Sequence, residues 1–309
     1  MIETIQYKNV RWLDITNPTE DDYRLLLDEY EFHPLDIEDC RGTTQRPKID
    51  EYDDYYFLIL HFPYFDQSNK NIRIREVKIF WGRDYIITVG KAHWVVKKLF
   101  DEMQEDLAEG DEDTQEMMAT SDQLLYHILN RLMLETNTLV QRVGAEVDLI
   151  NYEIFNKRPR AIIEQISVTR RNIILLNTTF RPQLRVLHMF ESGGIRGFVD
   201  PEQIDMEDYW GNILDQYQKM FDSIEDFGEL IEGLSQTFDS LLTNRTNEIM
   251  RMLTIFNTIM LPLTVLTGIF GMNVEFPFPM GNLTFFIIMA VMVVVTTGLL
   301  LYFNRRWGR

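Results

Sequence analysis

Oxygen-bearing side chains stand where their chemistry is conspicuous near one end of this 309-residue chain. Asn257 and Thr264 lie inside residues 252–270, nineteen positions without a charge, and the run closes on Gly271-Met272-Asn273. At about 100° per residue, Met250, Leu253, Asn257, Leu261, Thr264 and Gly268 fall on one narrow helical stripe. An amide does not ionise, yet facing lipid it leaves strong donors and acceptors unsatisfied, so Asn257 must meet protein or water. Two chemistries fit. The stripe is a helix–helix contact, where Thr, Asn and Gly are common, or it is the wall of an aqueous pore. Spacing alone leaves both open.

The element that positions these residues is a membrane-spanning helix. After nine intervening residues a second uncharged run covers residues 283–303, twenty-one in all. About 20 residues at 1.5 Å rise cross a hydrocarbon core, so both runs read as transmembrane helices. Arg245 and Arg251 precede the first, and Arg305, Arg306 and Arg309 follow the second. The connecting loop holds Glu275 and no Lys or Arg, which puts both termini in the cytoplasm. The first residues, Met1-Ile2-Glu3-Thr4, carry neither the basic nor the apolar part of a signal peptide, in keeping with that orientation.

A net charge of −18 argues against nucleic acid as a partner and suits a body that concentrates cations. One cysteine, Cys40, excludes an internal disulfide framework. The five histidines, His33, His61, His93, His127 and His188, are isolated in sequence, and no phosphate-binding glycine loop occurs. The expectation is structural histidines, no enzyme activity and no cofactor.

Along the chain, residues 10–15 form a strand. Thr19-Glu20-Asp21-Asp22 is a capping-box start for a helix to about Glu31. Residues 55–62, 77–81 and 85–89 are β-rich, the last two joined by a tight hairpin at Gly82-Arg83-Asp84. Nine acids in residues 101–116 read as a solvated or mobile run. Residues 121–155 and 161–190 form an antiparallel helical hairpin, with Pro182 expected to kink the second arm. Residues 191–201 are a linker. From about Gln203 one helix runs to Phe270, 68 residues or about 100 Å. Its apolar positions Ile213, Tyr217, Met220, Ile224, Leu230, Leu234 and Leu241 call for partners, so the chain is expected to oligomerise.

The aromatic-Gly-Met-Asn sequence, with Phe270 before Gly271-Met272-Asn273 at the outer end of the penultimate span, resembles the signature of the CorA family of magnesium channels. Asn244-Arg245-Thr246-Asn247-Glu248 before the span and Pro262-Leu263-Thr264 within it strengthen the likeness. So do Asp14-Ile15-Thr16-Asn17-Pro18-Thr19, His33-Pro34-Leu35, Glu38-Asp39-Cys40 and Arg46-Pro47-Lys48. The family usually has Tyr where Phe270 stands. The resemblance implies an α+β cytosolic domain, an α/β/α sandwich with a long helical hairpin. A very long stalk helix then continues into the first of two transmembrane helices, and five copies form a funnel. The expected boundaries are residues 1–195 for the α/β domain and 196–248 for the stalk. The first span is 249–273, the loop 274–282, the second span 283–304 and the basic tail 305–309.

The resemblance also implies uptake of hydrated Mg2+, with Co2+ and Ni2+ as surrogates, across the inner (plasma) membrane by a homopentamer. Mg2+ is then substrate and regulatory ligand. Asn273 forms the selectivity ring with Gly271 and Met272, Glu275 guards the mouth, and Asn247, Met250, Leu253, Asn257, Leu261, Thr264 and Gly268 line the path. Met250 and Leu253 are its hydrophobic constriction. Leu261 stands where relatives can have Met, and Asn257 where a small apolar residue is common. In the family, Mg2+ between neighbouring cytosolic domains closes the pore. Asp66 matches one acid of that site, but Asn212 and Gln236 stand where stalk acids are expected. Asp208 and Asp215, a turn either side of Asn212, are the substitutes the sequence offers. The rival readings are a zinc transporter of the related ZntB branch, which tends to differ at the Met272 position, and a two-span receptor without ion flux.

Overall fold

A computed structural model describes residues 2–42, 45–68, 71–91, 93–155, 159–200, 204–273 and 281–307. The chain divides into two units, residues 1–235 and 236–309.

The first unit is built on a six-stranded mixed sheet. Its strands are β1 (Ile2–Tyr7), β2 (Val10–Thr16), β3 (Lys48–Glu51), β4 (Tyr55–Asp66), β5 (Asn71–Gly82) and β6 (Tyr85–Gly90), in the order β1-β2-β6-β5-β4-β3. Only β2 and β6 run parallel; the other neighbours are antiparallel. Side chains alternate across a strand, so one sequence supplies two cores. Leu13, Ile15, Phe57, Ile59, Phe80, Ile87 and Val89 face α1 (Glu20–Asp28) and α2 (Pro34–Arg41), meeting Tyr23, Leu26 and Ile37. There Phe32 stacks on Phe80 with ring centroids 4.1 Å apart, a geometry worth about 1 kcal/mol beyond burial.

The opposite face holds Trp12, Leu58, Leu60, Ile79, Trp81 and Ile86, all fully buried. It is covered by α3 (Trp94–Glu109), α5 (Ser121–Glu153) and α6 (Pro159–Glu191), with the short α4 (Glu112–Met117) beside α3 and α5. Phe100 of α3 packs edge-on to Trp12, and the Trp81 indole N–H donates to Asp122 Oδ1 of α5 at 3.1 Å. The α/β/α sandwich is thus present. The acidic run is ordered as α3 and α4, with its carboxylates on their wet faces. It is solvated, but it is helix.

The ends of these helices give several polar residues their structural roles. The capping box at α1 is made by Thr19 and Asp22, and it holds the Asp22 carboxyl below its usual range. His33 and His93 are the N-caps of α2 and α3, their Nδ1 atoms accepting from Leu35 N and Val95 N. Lys78, 5 % exposed, ends α2 from the sheet, its ammonium donating to the carbonyls of Asp39, Cys40 and Gly42. Cys40 lies in the core with its thiol pushed up to about 12, an inert neutral group.

His93 yields a test. Burial, with Arg75 nearby, pushes it from the usual 6.5 down to about 4. The unfolded chain therefore binds a proton first, so stability is whole above pH 6.5 and drains as pH falls toward 4, by about 3 kcal/mol at most. Asn caps helices without titrating. We expect His93→Asn to lose less melting temperature than wild type between pH 7 and pH 4.5; equal losses would remove His93 from this role.

The long helix α7 (Glu207–Phe270) has 64 residues, about 96 Å of rise. Within the first unit it packs on the α5/α6 hairpin. Tyr217 stacks on Phe180 at 4.5 Å, and Arg181 and Arg170 pair with Glu225 and Glu232 at 2.9 and 2.7 Å. This narrows the expectation of partners to part of the row: Ile213, Tyr217, Met220 and Ile224 are at most 3 % exposed in the single chain. They need no neighbouring copy. Leu230, 53 % exposed, is the position that stays uncovered.

Candidate functional site

The second unit carries the remainder of α7 and α8 (Asn282–Trp307), both long and apolar enough to cross a membrane. Glu248, Arg251, Met252 and Ile255 of α7 share a groove with Thr297, Leu300, Leu301 and Phe303 of α8, so these segments lie side by side. Each helix has one half-buried stripe. On α7 it is Ile255, Ile259, Pro262, Leu263, Leu266 and Phe270; on α8 it is Thr284, Ile288, Met292, Val295, Thr296, Leu299 and Phe303.

The α7 stripe that α8 covers lies diametrically opposite the stripe picked out by spacing. Placing Met250 at 0°, Leu253, Asn257, Leu261, Thr264 and Gly268 fall within about 60° of it, whereas the half-buried residues centre near 170°. Asn247, Met250, Leu253, Asn257, Leu261, Thr264 and Gly268 are all exposed in the single chain, Met250 by 58 % and Leu261 by 66 %. The Thr264 hydroxyl donates to the Met260 carbonyl at 2.9 Å, which settles its proton inside the helix and leaves its lone pairs outward. Asn257 makes no side-chain hydrogen bond among the described residues, so its amide is left for something outside the chain.

At the helix end, Gly271 N donates to Thr267 O at 2.9 Å and Met272 N to Ile269 O at 3.2 Å, a tightening last turn. Gly271 does not use a left-handed conformation. Its need is steric: a Cβ there would stand 2.9 Å from the Thr267 carbonyl oxygen. Asn273 follows, exposed. Glu275 lies outside the described residues.

The residues considered for regulation sit in the first unit. Asp66 ends β4, paired with Arg73 at 2.9 Å and accepting from Ser68 N at 3.0 Å. Asp208 is in the first turn of α7, exposed. Asn212 donates to the Tyr126 hydroxyl at 2.9 Å, and Asp215 pairs with Lys219 at 2.9 Å. Among the described residues, no three His, Cys, Asp or Glu gather closely enough to hold a metal within one chain. The Asn212–Tyr126 bond was invisible in sequence, because its partners are 86 residues apart.

Known proteins match both the sequence and this fold. A cobalt/magnesium transport protein CorA of Thermotoga maritima is 25 % identical over 297 residues, 96 % of this chain and 82 % of its own. The CorA protein of Methanocaldococcus jannaschii is 21 % identical, over 99 % and 94 % of the two chains. The complete structure of the CorA magnesium transporter from that organism superposes with a TM-score of 0.78 at 19 % identity, covering 97 % of this chain and 92 % of its own. The family model described as CorA-like Mg2+ transporter protein matches residues 7–306, and the chain belongs to that family.

Proposed function

We propose that this chain is a divalent cation channel in which five copies place the Asn257 stripe around a shared axis and conduct hydrated Mg2+ into the cytoplasm. The observation that carries the reading is the opposition of stripes on α7. The second span backs one face and leaves the face with Asn257, Thr264 and Gly268 for other copies and water. On this reading residues 249–273 and 283–304 span the inner membrane, residues 274–282 lie outside it, and both termini are cytoplasmic.

Mg2+ dehydrates reluctantly and prefers six oxygen ligands. A ring of Asn273 carbonyls accepts hydrogen bonds from its coordinated waters without stripping them. Gly271 lets the last turn close and Met272 buttresses it. Glu275 draws cations to the mouth. Met250 and Leu253 form an apolar constriction that gates by dewetting. Membrane potential supplies about 4.6 kcal/mol per 100 mV for a divalent ion, so no nucleotide hydrolysis is needed. The test is flux in liposomes under imposed voltage, with Mg2+, Co2+, Ni2+ and Zn2+ compared. Zn2+ as the preferred ion would favour the ZntB branch, and absent flux the receptor.

Gly271→Ala forces the Thr267 carbonyl and the following turn apart. We expect flux to fall about tenfold, the scale at which misplacing an interacting group by a fraction of an ångström is felt, with assembly unchanged. Wild-type flux in that variant would mean the turn does not position Asn273.

For regulation, Asp66 with Asp208, Asn212 and Asp215 forms a weak Mg2+ site completed by a neighbouring copy. Its carboxylates are already answered by Arg73 and Lys219. Asp208→Ala with Asp215→Ala should shift closure to internal Mg2+ several-fold higher. Closure at unchanged Mg2+ would remove those residues from the account.

A further inference from the structure

The sheet contains one point where two parallel strands part to opposite faces. β2 and β6 run side by side in the same direction, with Thr16 opposite Gly90. After β2 the chain turns to α1, on the face of Leu13 and Ile15. After β6 it turns to α3, whose Phe100 packs on Trp12 of the other face. In open α/β sheets, ligands bind beyond the carboxyl ends of strands at such a divergence. A cavity of about 560 Å³ lies there, with Asn17, Gly90 and Lys91 in its wall. That volume suits a small organic molecule and is far more than an ion needs.

The charge of this cavity runs against that of the chain. The protein carries −18 overall, yet Arg41, Arg75, Lys78 and Lys91 line the cavity against the single lining carboxylate of Glu76. Glu76 is already answered by Lys78 at 3.2 Å and by Gln45 N–H at 2.6 Å. Arg41 is answered from outside the lining by Glu20 at 2.7 Å. The Arg75 guanidinium lies 4.6 Å from the Tyr64 ring centroid. Among the described residues, Lys91 makes no ion pair and the Asn17 amide makes no hydrogen bond, while the His61 Nε2 stands 3.7 Å from the Glu76 carboxylate. The neighbouring helix starts contribute nothing, because Thr19 and His93 already cap them.

We propose that this cleft binds a phosphorylated small molecule of nucleotide size. Lys91, Arg75 and the Asn17 amide meet the phosphate, for which guanidinium and ammonium donors are suited. The flanks of Tyr23 and Tyr64 meet the organic part. Nothing in the conduction path is involved, so the proposal stands or falls apart from the channel reading.

The test is calorimetric titration of the full chain in detergent, with divalent ions removed, using AMP, ATP, glycerol 3-phosphate as a headgroup mimic, and inorganic phosphate. We expect one saturable nucleotide site per chain. Lys91→Glu and Arg75→Gln should each weaken it at least about tenfold, the loss of one charge-assisted hydrogen bond. Lys219→Glu, on the wet face of α7, should bind as wild type. Unchanged melting temperature in Lys91→Glu separates lost binding from lost folding. Three results overturn the proposal. They are no saturable nucleotide heat at millimolar concentration, undiminished affinity in both variants, or inorganic phosphate or glycerol 3-phosphate binding as tightly as the nucleotides.

Discussion

Liposomes carrying Asn273→Ala are expected to take up Mg2+ at least about a hundredfold more slowly than those carrying the wild-type chain. The magnitude follows from hydrogen bonds. Each amide oxygen facing a coordinated water contributes about 1 kcal/mol, and in the proposed pentamer a ring of five would contribute about 5, which is three to four decades of rate. Alanine leaves the ion's polarised waters facing methyl groups. The exposed side chain of Asn273 has no partner within the described chain, so its removal costs little stability. Lost flux with unchanged assembly and melting temperature is therefore the expected pair of results. Flux within a few-fold of wild type would place selectivity elsewhere. Asn273→Asp sharpens the test, since a ring of charges should hold the cation and slow its exit.

The second large effect is on folding. Asp122 opens α5 and is 1 % exposed. Its carboxylate accepts from the Trp81 indole at 3.1 Å, from Phe198 N at 3.0 Å, from Val199 N at 3.0 Å and from Ser121 Oγ at 3.4 Å. It thereby ties sheet, hairpin and linker together. Burial raises its pKa, and the Val199, Phe198 and Trp81 donors oppose that rise. Gly197 is shaped to this contact, with φ of +66° and Asp122 Oδ2 standing 2.4 Å from where a Cβ would lie. Asp122→Ala strands the buried Trp81 N–H and the two half-buried amides of Phe198 and Val199 at about 1–3 kcal/mol each, partly relieved by water, for a net cost of about 3–5 kcal/mol. In a chain of this size that lowers the melting temperature by about 10 °C. Glu105→Ala, on the exposed face of α3, serves as the control and should move it by about 1 °C. A shift in Asp122→Ala no larger than the control's would show that water replaces the carboxylate fully.

What was legible in the sequence followed how local its cause was. The two apolar runs, the Thr19 capping box, the Gly82 hairpin and the α5/α6 hairpin each declare themselves within a few residues. The six-residue β1 and the four-residue β3 were not read, because edge strands are half exposed and only Ile5 of the two is buried. α3 was hidden because its cap is His93 rather than Ser, Thr, Asp or Asn, and because its acids mask the buried Val95, Val96, Leu99, Phe100 and Met103. On α7 the stripe of Asn257 and Thr264 was readable from spacing, since angle around a helix is a property of sequence alone. Which face the second span covers was not, because that depends on how two apolar helices fit. Nor could spacing reveal the cationic cavity, whose Asn17, Arg41, Arg75 and Lys91 come from four separate segments.

The most direct test of the channel reading is the pattern of water access around α7. Single cysteines are placed along residues 253–268 in a Cys40→Ser background, and their rates of reaction with a membrane-impermeant thiol reagent are measured in liposomes. The account predicts fast modification at Asn257, Leu261, Thr264 and Gly268, on the pore side of the Met250–Leu253 constriction, and slow modification at Ile255, Ile259, Leu263 and Leu266. Fast reaction on the Ile259 face, or rates that do not vary around the helix, would contradict it.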